Sequence, residues 1–196
     1  MELVVFDLDG TLLNRESVIS DYTSETLRLL TERDIAYTVA TGRTLHSARA
    51  ILDGHRFQLP QAYKNGVMIW HPESKRFSSG AMLTPDELEN VVHACMAQGV
   101  TPFVFTLDDD DGSTVYHPPL VTDAERELIR SVGIDEPVKV RSLDDLPSDA
   151  TITHVNSIGD GEAIDAVLRS VNDEPHLVGY SGVALEGRQW CWLDIH

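Results

Sequence analysis

Apolar residues along this chain fall into two kinds of run, short continuous ones and longer ones spaced three or four apart. Leu3 to Phe6 is a continuous run closed by Asp7. Its length and branched residues predict a strand buried on both faces. From about Asp21 to Arg33 the spacing turns helical, with Leu27 and Leu30 on one face. Ile35 to Ala40 is a second strand-like run, broken by Thr41-Gly42-Arg43, and a short helix is expected from about Thr44 to Leu52. Gln61 to Tyr63, then Asn65-Gly66, then Val67 to Trp70 follow. Strand, helix, strand, helix, strand is the alternation of an open parallel sheet with right-handed crossovers.

Near residue 80 the pattern changes. Thr84-Pro85-Asp86-Glu87 is a helix start, with Thr84 as cap, proline at the first helical position and Glu87 closing a capping box. Leu88, Val91, Val92, Cys95 and Met96 then recur at helical spacing until Gly99. Phe103 to Leu107 and Thr114 to Tyr116 predict a hairpin, with Asp108 to Asp111 and Gly112 at its solvated tip. Thr122 and Glu125 repeat the capping box ahead of Leu128, Ile129 and Val132. Further strands are expected at Val138 to Val140, Thr151 to Ile158, His176 to Tyr180 and Gln189 to Ile195, with a helix from about Asp160 to Val171. Residues 82–192 thus form a separate α+β unit with antiparallel hairpins, after a first unit of residues 1–81.

Charge narrows the list of partners. The 196 residues carry 32 acids against 15 bases, a formal charge of −17. That balance argues against a nucleic-acid groove or an anionic membrane surface as the main partner. No apolar run reaches the length of a membrane span, and the opening MELVVFDLDG is too short and too acidic for a signal peptide. Cys95 and Cys191 are the only cysteines and lie far apart, which is neither a disulfide framework nor a zinc spacing. A cytoplasmic protein is expected. The eight histidines show no HxH or HExxH spacing, so each is expected to pack or face solvent.

The chemistry is concentrated in Asp7-Leu8-Asp9-Gly10-Thr11-Leu12-Leu13. It lies at the C-terminal end of the first strand, where open α/β sheets place ligands. Asp7 and Asp9 can both point into one crevice there, and two such carboxylates repel each other unless a divalent cation sits beside them. Oxygen-only ligation suits Mg²⁺. Gly10 lets the backbone approach an anion, and Thr11 can tie the turn through its hydroxyl. One carboxylate can attack phosphorus while the other handles a proton.

This string resembles the DxDGT motif that opens the haloacid dehalogenase-like (HAD) hydrolase superfamily. The resemblance implies Asp7 as nucleophile, forming an aspartyl-phosphate, and Asp9 as general acid and then general base. It implies Mg²⁺ held by the Asp7 side chain and the Asp9 main-chain carbonyl. Thr41-Gly42-Arg43 stands where the second motif belongs: Thr41 would hydrogen-bond the phosphoryl group, Gly42 would allow its approach, and Arg43 would pair with anionic substrate. Asn65-Gly66 is an ordinary turn signal, and it also matches the NG found beside the substrate crevice in Cof-like, type IIB members. Residues 82–192 resemble their inserted cap, which closes over substrate. The fold class implied is α/β: a Rossmannoid three-layer core, incomplete here, with an α+β type IIB cap.

Two parts of that pattern are missing from residues 1–196. One is a lysine at the start of a later core helix. The other is an acidic GDxxxD or GDxxND motif. Gly159-Asp160-Gly161-Glu162 imitates the latter, but Asp165 falls five residues after Asp160, not four, so Asp160 is expected to be a helix cap. Residues 193–196 would begin a return to the core. The expectation is a Mg²⁺-dependent phosphatase for small phosphorylated metabolites such as sugar phosphates, with little turnover from these residues alone. The chain is expected to be the N-terminal piece of a longer phosphatase. The alternatives are a naturally short chain that self-associates along the exposed edge of the first strand, and a non-catalytic module that keeps the phosphate crevice.

Overall fold

A computed structural model describes residues 3–78, 82–108, 112–132, 138–172, 174–184 and 187–196. The chain divides into two units, Met1–Ala81 and Met82–His196. In the first, β1 (Leu3–Phe6) runs parallel to β2 (Ala36–Val39), with Phe6 opposite Val39. The helix between them, α1 (Asp21–Glu32), starts where the Ser20 hydroxyl accepts the Thr23 amide at 3.2 Å and buries Leu27. Asp34, at φ +56°, reverses the chain into β2. The second helix, α2 (Leu45–Leu52), is capped by Thr44, whose hydroxyl accepts the Ser47 amide at 3.2 Å.

Two expectations for this unit do not hold. Leu3 and Val5 are 52% and 53% exposed, so β1 is not buried on both faces as its composition predicts, and stands instead as the exposed edge that an incomplete core implied. Among the described residues its ladder runs to β2 alone, and an apolar composition records what a strand can bury, not what covers it. The third strand, β3 (Gln61–Tyr63), joins β2 through a single parallel bridge, Ala40 to Ala62. It then pairs antiparallel with β4 (Met68–His71), which pairs antiparallel with β5 (Arg76–Ser78). The segment that completes the expected alternation is therefore half crossover strand and half three-stranded meander.

The second unit is built on one six-stranded sheet. Its strands are β6 (Phe103–Leu107), β7 (Ser113–His117), β8 (Val138–Ser142), β9 (Thr151–Gly159), β10 (Gly179–Val183) and β11 (Cys191–Ile195), in the order β10-β11-β9-β6-β7-β8. All neighbours are antiparallel except β7 and β8. Alternation along β6 divides the core. Val104 joins Val91 and Cys95 of α3 (Pro85–Ala97) and Ile164 and Val167 of α5 (Gly161–Val171). Phe103 and Phe105 join Val115 and Ile158, with Leu128 and Ile129 of α4 (Asp123–Val132) packed against them. Met96 of α3 is 54% exposed, outside the apolar stripe in which its spacing placed it.

Three sequence readings are resolved here. Residues 193–196 do not leave this unit. Leu193 pairs with Ser157 and Ile195 with Val155, and both side chains are buried in the sheet's core, so the unit runs to the last residue rather than to 192. The strand expected at His176 to Tyr180 lies at Gly179–Val183, because its register is set by β11 and not by its own apolar residues. Asp160 caps α5, its carboxylate accepting the Glu162 amide at 2.9 Å. Of the acidic hairpin tip, residues 109–111 lie outside the described residues.

Candidate active site

Parallel pairing brings the ends of β1 and β2 to the same side. The Ala40 amide donates to the Phe6 carbonyl at 2.9 Å, so Asp7 and Thr41 leave the sheet as neighbours in the ladder. The chain after β1 folds into one wide turn over residues 8–12. Leu12 and Leu13 amides close it on the carbonyls of Asp7 and Leu8 at 3.2 and 2.9 Å. Leu8, Leu12 and Leu13 are buried and anchor the turn from below, which leaves Asp7, Asp9, Gly10 and Thr11 exposed above. Gly10 sits at φ +73° in open space, so the need for glycine there is conformational and not steric. The turn is tied by backbone bonds. The Thr11 hydroxyl has no partner among the described residues, in contrast to the expected side-chain tie.

The two aspartates are treated differently by their surroundings. Asp7 has no side-chain hydrogen bond or ion pair among the described residues. Asp9 is held at both oxygens by Arg43, whose Nε and Nη2 each donate at 2.7 Å. The repulsion expected between two neighbouring carboxylates is thus relieved by a guanidinium fork on one of them. Hydrogen bonding from Arg43 holds the Asp9 carboxyl below its usual value, against the opposing effect of burial and with the help of the guanidinium charge. Replacing Arg43 by glutamine removes that bias toward the charged form. A ¹³C-carboxyl titration of Arg43→Gln is expected to show the pKa of Asp9 rising toward the ordinary aspartate value. An unmoved titration would mean that the fork is not what sets it.

The second and third loops are knitted to each other. The Asn65 amide donates to the Thr41 carbonyl at 3.2 Å, and the Lys64 amide donates to the Arg43 carbonyl at 3.0 Å. Thr41 is buried, and its hydroxyl oxygen accepts the Arg43 amide at 3.2 Å, which leaves its own proton to donate. A Cβ at Gly42 would stand 3.1 Å from Asn65 Oδ1, so glycine admits the asparagine side chain to this loop. Lys64 and Asn65 both take left-handed backbone, at φ +48° and +56°. Asn65-Gly66 is therefore a hairpin turn, and the same turn lays the Asn65 amide on Gly42.

Sequence reading placed Asp7, Asp9, Gly10, Thr41, Gly42, Arg43 and Asn65 at strand ends, and all seven occur on three adjoining loops of the first unit. It missed the Asp9–Arg43 pair. Residues 34 apart carry no local signal, and the only clue was that two parallel neighbouring strands must end side by side. The donors that the resemblance implies for a cation are the Asp7 carboxylate, which is exposed and has no side-chain partner among the described residues, and the Asp9 main-chain carbonyl. Among the described residues no group of three His, Cys, Asp or Glu side chains converges on one point. Two oxygens of this kind match Mg²⁺, which takes one or two carboxylates and keeps several waters. Among the described residues no helix is long and apolar enough to cross a membrane.

Known proteins with these features converge on one family. A model of the haloacid dehalogenase-like hydrolases matches residues 4–186. The chain is 28% identical over 175 residues to the 5-amino-6-(5-phospho-D-ribitylamino)uracil phosphatase YwtE of Bacillus subtilis (strain 168), covering 82% of this chain and 56% of that one. It thus spans little more than half the length of that relative. Among solved structures it is similar to BT1666 from Bacteroides thetaiotaomicron, a phosphatase of the same superfamily, with a TM-score of 0.71 at 15% identity over 100% of this chain and 67% of that one. Its likeness to the HAD subclass IIB sugar phosphatase BT4131 has a TM-score of 0.65 at 17% identity, over 100% and 69%.

Proposed function

Because the chain belongs to the haloacid dehalogenase-like hydrolases, we propose that its first unit transfers the phosphoryl group of small phosphorylated metabolites, sugar phosphates among them, to Asp7. The observation that carries this reading is the contrast between the two aspartates. Asp7 is exposed and has no side-chain partner among the described residues, so an oxygen is open for attack, while Asp9 is paired with Arg43. Attack by an Asp7 oxygen on phosphorus forms an acyl phosphate as the ester oxygen leaves, and Asp9 supplies the proton that oxygen needs. Water, deprotonated by Asp9, then releases phosphate.

Arg43 has two roles in sequence. In the absence of substrate its fork keeps Asp9 ionised. An entering phosphoryl dianion is a stronger acceptor than a carboxylate and draws the fork to itself, and its negative charge beside Asp9 then favours the protonated carboxyl. The Thr41 hydroxyl, whose proton is left to donate, would bind the same anion from the second loop. Mg²⁺, held by the Asp7 carboxylate and the Asp9 carbonyl, would neutralise charge on the phosphoryl oxygens. Two protein oxygens would hold such a cation weakly, so turnover by residues 1–196 is expected to be slow and to need high Mg²⁺.

The test is release of p-nitrophenol from p-nitrophenyl phosphate, with Mg²⁺ and with a chelator, in the wild type and in Asp7→Asn. A slow, Mg²⁺-dependent release that requires Asp7 supports the proposal. Release that ignores both sinks it.

A further inference from the structure

The first unit carries a concavity formed by α2, the loop after it, β3 and β4. It is an open cleft of about 510 Å³, a size that suits a small molecule. None of the seven residues placed in the phosphoryl site lines it. Its apolar surface comes from Leu45, Leu52, Phe57 and Trp70. Trp70 is 5% exposed and is fixed edge-on to Phe77, with ring centroids 4.9 Å apart. This part of the wall is therefore rigid.

The polar groups of the cleft divide sharply into satisfied and unsatisfied. The Tyr63 hydroxyl donates to Gln61 Oε1 at 2.5 Å, and Gln61 Nε2 donates to the Phe57 carbonyl at 3.1 Å. Burial pushes the Tyr63 phenol up to about 12, so it adds no negative charge near neutrality. Arg49 and Arg56, by contrast, line the cleft with no hydrogen bond or ion pair among the described residues, although Asp53 lines it too. The Arg49 guanidinium carbon lies 5.7 Å from the Trp70 ring centroid. A guanidinium laid on an aromatic face keeps the N–H donors of its edge for an acceptor in its own plane. Arg56 is placed by a tight reversal, with Gly54 at φ +83° and Arg56 itself at φ +57°, a backbone region disfavoured for a side chain of its size.

Two cationic forks beside a rigid aromatic and aliphatic wall match an anion with a flat apolar body. We propose that this cleft is a second ligand site, taking a small arylcarboxylate whose ring lies against Leu52 and Phe57, beside the Trp70 ring that Arg49 covers, and whose carboxylate is gripped by Arg49 and Arg56. A carboxylate is favoured over a spherical anion because its two oxygens match the planar fork. The apolar wall contributes only if the anion carries a ring.

The experiment is a titration of the 196-residue chain with 2-naphthoate, followed through the indole N–H signal of Trp70, which Trp70→Phe assigns. A saturable shift of that signal, without a matching shift of the Trp190 and Trp192 signals, is expected. Affinity should fall about tenfold or more in Arg49→Gln and in Arg56→Gln, each an exposed residue whose loss leaves the remaining spectrum in place. Neutral 2-naphthalenemethanol should bind at least about tenfold more weakly than the acid. Arg43→Gln should bind as the wild type does, and a loss there would put the anion in the phosphoryl site and overturn the proposal. Absence of a saturable shift, equal binding of the alcohol, or unchanged binding in both cleft variants would overturn it as well. None of these readouts depends on turnover, so the phosphatase proposal stands or falls separately.

Discussion

Asp7→Asn is expected to reduce p-nitrophenol release to the uncatalysed background while leaving the fold as it is. The two halves of this expectation have different origins. An amide has neither the charge nor the oxygen basicity to attack phosphorus, and it is a poorer partner for Mg²⁺ than a carboxylate. The loss is therefore chemical and near complete. The fold is spared because the Asp7 side chain is exposed and makes no hydrogen bond or ion pair among the described residues, so its replacement leaves nothing buried without a partner. Thermal unfolding should place the variant within about 0.5 kcal/mol of the wild type. Equal release by the two proteins would remove Asp7 from the reaction, whatever the family.

The largest loss of stability is expected at Glu125, which has no part in that chemistry. It closes the capping box of α4, as Glu87 does for α3, but the two boxes differ in burial. Glu125 is 3% exposed. One oxygen accepts the Thr101 hydroxyl at 2.7 Å, and the other accepts the amides of Val121 and Thr122 at 2.5 and 2.7 Å. Glu125→Ala strands three donors and leaves a hole, for a loss of about 3 kcal/mol in the second unit, or roughly 10 °C in its midpoint.

Glu87 accepts from the Thr84 amide and hydroxyl at 2.7 and 2.8 Å near solvent, which replaces it when it is removed, so Glu87→Ala should cost only about 1 kcal/mol. The backbone hydrogen bond from Thr84 holds the Glu87 carboxyl below its usual value. Its contribution is therefore full above the ordinary glutamate pKa and is lost as pH falls through the lowered one. Unfolding midpoints of both variants, measured at neutral pH and again in acid for Glu87→Ala, check the ranking and its sign. Equal losses at the two sites would show that burial of the box does not matter.

Where sequence reading succeeded, the signal was local. The capping boxes at Thr84 and Thr122 form because their partners are three residues apart and meet in the first turn of any helix. DLDGTLL carries its own division into buried leucines and exposed acids, and its glycine marks the one left-handed residue of the turn. Where reading failed, the deciding partner was remote. Leu3 and Val5 are as apolar as any buried strand, yet they are half exposed. β10 contains Gly179 and Gly182, which give it little strand preference of its own. A Cβ at Gly182 would meet the Trp192 ring at 3.0 Å, so its place is set by β11 beside it.

The amino-acid order alone thus settled which side chains stand at the ends of the first strands, since the side-chain period and the turn glycines are properties of short segments. Only the folded chain decided what those side chains do to one another. Asp9 and Arg43 meet at 2.7 Å because parallel pairing aligns two strand ends, and Asn65 reaches Gly42 because a hairpin turn hydrogen-bonds to the loop beside it. Contacts of that kind depend on loop closure across tens of residues, and no window of sequence short enough to show a pattern is long enough to hold both partners.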